Sequence, residues 1–142
     1  MPDIRILLIS GSTRPTLSNS MVLRELHVSQ PVGVSTDLYQ GLSTLPVNLL
    51  DWTVGGGQLY DKLAAWLDVA NPGRGAGARG QLGTVLSYVA ARVVEPACVH
   101  VNLDRNGGAV TLGDGAGHQL QRSLRQLTLA IEEDRHARGL DD

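Results

Sequence analysis

The feature that most constrains this chain is the segment Ile4-Arg5-Ile6-Leu7-Leu8-Ile9 together with the polar loop that succeeds it. A nearly continuous, β-branched apolar run of this length reads as a strand buried on both faces of a parallel sheet. It gives way to Ser10-Gly11-Ser12-Thr13-Arg14-Pro15-Thr16, a loop of small and polar residues. A helix comes next, capped by Ser18 or Asn19, with Val22 and Leu26 on one face, and Pro31 and Gly33 end it.

The rest of the chain continues the alternation. Val32 to Tyr39 reads as a second, weaker strand, 40–46 as a loop, and Asn48 to Thr53 has room for a short helix that Gly55-Gly56-Gly57 closes. Leu63 to Ala70 is the third strand, followed by Asn71-Pro72-Gly73-Arg74-Gly75-Ala76-Gly77. From Ala78, Leu82, Val85, Leu86 and Val89 recur at helical spacing. Arg92 to Val101 is a fourth strand, and Pro96 inside it points to a sheet edge. A turn-rich stretch runs through Gly117, and Leu120, Leu124, Leu127 and Ile131 form the stripe of a final helix. From Glu132 the sequence reads as a solvated, charged end.

Strands that alternate with helices imply βαβ units, hence an α/β domain with a parallel sheet covered on both faces. The 142 residues are expected to form one domain. Ligands of such sheets sit at the carboxyl ends of the strands. Two loops stand out there, 10–19 and 71–80, and one site built from both is expected.

Charge and composition remove several function classes. Twelve basic against 14 acidic residues leave a net charge of -2, which gives no electrostatic case for a nucleic-acid binder. A single cysteine, Cys98, cannot form an internal disulfide, and four scattered histidines make no zinc pattern, so no metal site is expected. No apolar run is long enough for a membrane span, and Asp3 and Arg5 stand where a signal peptide would begin its apolar region. A cytoplasmic protein that does not engage membranes is the expectation.

The first loop offers the hydroxyls of Ser10, Ser12, Thr13, Thr16, Ser18 and Ser20, the amide of Asn19 and the guanidinium of Arg14, and opens into a helix N-terminus. Such a set can cradle a phosphate; it can equally be a plain βα turn with a serine cap. It is not a Walker A loop, because no Gly-Lys-Ser/Thr occurs. Gly75, Gly77 and Gly80 match GxGxxG, with Glu95 further on. In a dinucleotide fingerprint the first glycine comes almost directly after the strand, whereas here Pro72-Gly73-Arg74 intervene. These glycines read better as letting the backbone approach a flat ligand closely.

Other polar candidates look structural. His27 is expected on a helix surface, His100 on an edge strand, His118 and His136 at exposed helix ends, none with a partner at ligand or triad spacing. Cys98, in an apolar strand, reads as a packed small hydrophobe. Trp52 and Trp66 are expected in the core or an interface, and Asp51 as a local cap or ion-pair partner.

Ile-Leu-Leu-Ile-Ser-Gly-Ser-Thr-Arg, ending at Arg14, with Ser18-Asn19 after it, resembles the opening of the NADPH-dependent FMN reductase family. Asn48-Leu-Leu-Asp51-Trp52 is similar to the end of that family's Lys-Asn-x-x-Asp-Trp helix, and Pro72-Gly73-Arg74-Gly75 to its second flavin-contacting loop. The resemblance implies a flavodoxin-like doubly wound parallel sheet. It places the FMN phosphate on Ser12, Arg14, Ser18 and Asn19, and the isoalloxazine against Pro72, Gly73, Arg74 and Gly75. It also implies NAD(P)H as co-substrate and a homo-oligomer, commonly a dimer.

The chain departs from the pattern between its second strand and Asn48. A helix, a central strand and a Pro-Glu-Tyr-Asn loop that the family sets against the flavin ring have no counterpart, because Leu45-Pro46 runs straight into Val47-Asn48. Leu17 stands where a small hydroxyl residue is usual, and Val47 replaces the lysine. The connection from Tyr39 to Leu63 can still make a crossover, so the sheet is expected to be reduced to four strands.

The resemblance supports two functions. One is a flavin-dependent NAD(P)H oxidoreductase passing hydride through FMN to a flavin, a quinone or a similar small acceptor. This needs no side-chain acid or base, so no catalytic residue is assigned. The other is a non-catalytic remnant, a phosphate- or nucleotide-binding module or an assembly subunit, that kept the first loop and lost the ring platform. A partner chain that supplies the missing wall would keep the enzyme reading alive.

Overall fold

The computed structural model describes residues 4–10, 18–40, 59–69 and 76–140. It is a mixed α/β structure that begins with a βαβ unit: β1 (Ile4–Ser10), α1 (Ser18–Val28) and β2 (Val34–Gln40). β1 and β2 run parallel in unbroken register from Ile4 opposite Val34 to Ser10 opposite Gln40. The turn before β2 rests on Gly33, whose φ of +82° suits glycine, and whose carbonyl accepts from the Ile4 amide at 3.0 Å.

The expected burial of β1 on both faces is corrected. Ile4, Ile6 and Leu8 are buried, whereas Arg5 is exposed and Leu7 keeps 59% of its surface in solvent. β2 alternates in the same way, with Val34 and Thr36 inward and Ser35 and Asp37 outward. Among the described residues, α1 covers one face of this ladder through Val22, Leu23 and Leu26. The opposite face carries a surface ion pair between Arg5 and Asp37 at 3.3 Å. Strands with one dry face need only period-two patterning, and the apolar Leu7 hid that period in the sequence.

The second parallel unit is made of short pieces. β3 (Leu63–Ala64) pairs with β5 (Arg92–Val93), and β4 (Leu67–Asp68) with β6 (Val99–His100). Each expected long strand is therefore interrupted, at 65–66 and at 94–98. A 3-10 turn, Glu95–Ala97, sits between β5 and β6, with Pro96 in its first positions, where a missing N–H costs nothing. It takes up three residues that the partner strand does not spend, and this displaces the register between the two short ladders. The crossover is α2 (Ala76–Tyr88), in which Leu86 is buried, with Val89 just beyond its end.

The segment read as merely turn-rich is an antiparallel hairpin, β7 (Leu103–Asn106) and β8 (Ala109–Leu112). Gly107 and Gly108 both have positive φ, +58° and +87°, as a two-residue turn matched to strand twist requires. The last element is α3 (Ala116–Ala137), and its expected stripe holds: Leu120 and Leu124 are buried, Leu127 and Ile131 partly so. Ser123, also buried, donates its hydroxyl to the Ala97 carbonyl at 2.5 Å and ties α3 to the 3-10 turn. α1, β1, β2, α3 and Val101 contribute to one apolar cluster, with Leu67, Val69, Val99, Leu103 and Leu112 packed against it.

The described strands form four separate two-stranded ladders, so they do not join into the single four-stranded sheet that was expected. The end of the chain is also not simply solvated. α3 continues through Ala137, and its last turns belong to a closed ring of ion pairs. Arg92 reaches Asp61 at 2.6 Å and Asp134 at 2.8 Å, while Arg138 meets Asp134 at 3.1 Å and closes onto Asp61. The ring joins the turn before β3, the start of β5 and the end of α3.

Candidate functional site at the carboxyl ends of the parallel strands

Asp68 ends β4 and His100 ends β6, and the parallel register sets them opposite each other. Both therefore stand at the carboxyl ends of their strands, the end at which α/β folds collect ligands. The Asp68 carboxylate is only 9% exposed, and a buried carboxylate persists when cations and hydrogen bonds compensate its lost hydration. Its Oδ2 accepts from Arg79 of α2 at 2.6 Å and from His100 Nδ1 at 3.2 Å. A carboxylate only accepts, so the proton of this imidazole contact is on Nδ1, which leaves Nε2 as the ring's other polar atom.

Neighbouring groups fix this pair in place. The Arg79 guanidinium stands 5.8 Å from the centroid of the Trp66 ring, within cation–π range. Arg105 of the β7–β8 hairpin donates to the Val69 carbonyl at 2.9 Å, which holds the hairpin to the end of β4. Cys98 is half-buried and its thiol donates weakly to the Val94 carbonyl at 3.5 Å. Burial pushes that thiol up, Glu95 adds to the effect, and a hydrogen bond from the Trp66 backbone opposes it. At neutral pH Cys98 is therefore a thiol, as expected for a packed small residue and not for a nucleophile.

His100 was expected to lack a partner; it has one, and this is corrected. His27 keeps the exposure expected of a helix surface, but its Nδ1 lies 2.6 Å from the buried Thr36 hydroxyl, which in turn donates to Gln30 Oε1 at 2.8 Å. His118 and His136 are exposed in α3, as expected. Trp66 is half-buried.

Of the residues assigned to the cofactor, Ser18 and Asn19 stand in the first turn of α1, with their side chains outside the described set. Ser12, Arg14, Pro72, Gly73, Arg74 and Gly75 lie outside the described residues, as do Asp51 and Trp52. What the structure does supply is the pair of elements that each loop connects. The first runs from the carboxyl end of β1 into α1, and the second runs from just beyond β4 into α2. Neither helix has an acidic residue in its first turn, so no carboxylate there competes with an anion for the N–H groups. These features fit a phosphate-bearing cofactor. Among the described residues no group of three or more His, Cys, Asp or Glu could hold a metal ion, and no helix is long and apolar enough to cross a membrane.

The Asp68–His100 pair had no local signal. The two residues are 32 positions apart, and only a parallel pairing of 67–68 with 99–100 reveals them. No protein-family model, no curated protein and no solved structure matches this chain. The likeness to the FMN reductase family rests on the residues quoted for it.

Proposed function

We propose that the chain is an FMN-dependent NAD(P)H oxidoreductase acting on a small acceptor such as a flavin or a quinone. The observation that carries this reading is the β1–α1–β2 unit: a parallel pair whose first strand opens, through a hydroxyl- and arginine-bearing loop, into a helix with no acid in its first turn. Ser12, Arg14, Ser18 and Asn19 would hold the phosphate there, and Pro72 to Gly75 would meet the ring. Bound FMN would supply the two-electron chemistry between NAD(P)H and the acceptor; the chain binds and orients. A second copy of the chain would provide the wall that the family builds from its central strand and Pro-Glu-Tyr-Asn loop, which makes a cytoplasmic homo-oligomer the working form.

A second reading is favoured by one observation, the separation of β1–β2 from β4–β6 among the described residues. A ring platform spread across one continuous sheet is not built from those ladders. On that reading the chain is a phosphate- or nucleotide-binding module, or an assembly subunit. Anaerobic NADPH added to the FMN-loaded protein separates the two. Bleaching of the flavin bands supports the oxidoreductase, and FMN retained without bleaching supports the binding module.

A further inference from the structure

We propose that His100, positioned by Asp68, is the proton donor to the acceptor in this reaction, and that the acceptor is an oxygen-centred one such as a quinone. The inference rests on the oxidoreductase reading and extends it, since that reading named no acid.

The geometry is that of an oriented imidazole. Nδ1 is engaged by a nearly buried carboxylate at 3.2 Å, and the same oxygen is held at 2.6 Å by Arg79, so the carboxylate cannot swing away from the ring without breaking that ion pair. The His100 side chain is 34% exposed, which leaves a route for protons to and from water. Asp68 fixes which ring nitrogen faces it, which leaves Nε2 as the atom that can pass a proton. The pair stands at the carboxyl ends of β4 and β6, and the segment assigned to the flavin ring begins a few residues after Asp68.

The step balances. Oxidation of NAD(P)H to NAD(P)+ would supply two electrons and a hydrogen, which bound FMN would carry to the quinone. The quinone oxygen left anionic takes the Nε2 proton of the His100 imidazolium. The ring is left neutral with Nδ1–H still donated to Asp68, and water restores the Nε2 proton. A one-electron acceptor such as ferricyanide takes up electrons and no proton, so it does not need His100.

The first test uses the protein without cofactor. Long-range proton–nitrogen NMR of the neutral rings should show His100 as the Nδ1–H tautomer; an Nε2–H tautomer would overturn the proposal. The second compares acceptors in FMN-loaded wild type and His100→Gln. Quinone turnover should fall about 100-fold, the order expected for losing a general acid, with FMN retention and ferricyanide reduction unchanged. Equal quinone turnover in the two proteins overturns the role of His100 and leaves the oxidoreductase standing. A wild type that reduces neither acceptor overturns both. Should His100→Gln not fold, Asp68→Asn keeps the shape and one acceptor oxygen but drops the charge. It should lower quinone turnover and spare ferricyanide; unchanged quinone turnover in it contradicts the positioning by Asp68.

Discussion

His100 and Asp68 lie 32 positions apart and meet at 3.2 Å because β4 and β6 pair in parallel. A three-residue 3-10 turn upstream of His100 sets that meeting. Were Glu95–Ala97 extended strand, the register that holds Ala64 opposite Val93 would continue, and Asp68 would face Ala97 in place of His100. Ser123 anchors the turn from α3, so core packing and the ends of the strands are coupled through one buried hydroxyl.

The core is centred on Leu120, which is 2% exposed and belongs to the cluster that joins α3 to β1 and α1. Leu120→Ala should cost about 3 kcal/mol in urea unfolding, from lost transfer energy plus the cavity left behind. A loss under about 1 kcal/mol would mean that α3 does not pack as described.

Gly113 closes the hairpin against the backbone. A Cβ there would sit 2.9 Å from the Asn102 carbonyl oxygen, to which the Gly113 amide already donates at 3.0 Å. Gly113→Ala should therefore destabilise by about 1–3 kcal/mol, as overpacking does, because the obstacle is main chain and cannot rotate aside. Thermal unfolding reads the effect, and an unchanged midpoint would contradict this contact.

Acid should weaken the ion-pair ring. The Arg92 hydrogen bond, with help from Arg138, holds the Asp134 carboxyl below the usual carboxylate range. A group whose pKa is lower folded than unfolded contributes stability above its unfolded value, and this is lost as pH falls through the folded one. The stability gap between wild type and Asp134→Asn should thus shrink as pH drops below about 4. A gap that stays constant with pH would show that the ring contributes nothing through ionisation.

Arg14 tests the phosphate assignment. Arg14→Ala should weaken FMN binding about 10- to 100-fold, the worth of one charge-assisted hydrogen bond, and leave riboflavin binding unchanged. Equal losses for both ligands, read by flavin fluorescence titration, would remove Arg14 from the phosphate.

The first βαβ unit was legible because its signals are local. The apolar run Ile4 to Ile9, the Val22–Leu26 face and the Pro31–Gly33 turn each lie within a few residues, although the run did not show which face of β1 is open. The final helix was legible through Leu120, Leu124, Leu127 and Ile131 for the same reason. The β7–β8 hairpin escaped because Asp104, Arg105 and Asn106 give no alternation, although Asn106-Gly107-Gly108 is a recognisable turn signal. The breaks in the second unit escaped because Leu63 to Ala70 is apolar throughout most of its length, and apolarity does not show where a ladder stops. The Asp68–His100 contact depends on register across that unit, which no local pattern encodes.

The proposed chemistry stands or falls on whether this chain holds FMN, and the visible absorbance spectrum after loading with FMN and desalting reads that directly. Retained flavin bands in a near one-to-one ratio to protein are the expected result. A colourless protein after desalting would contradict it and leave the β1–α1 loop without its cofactor.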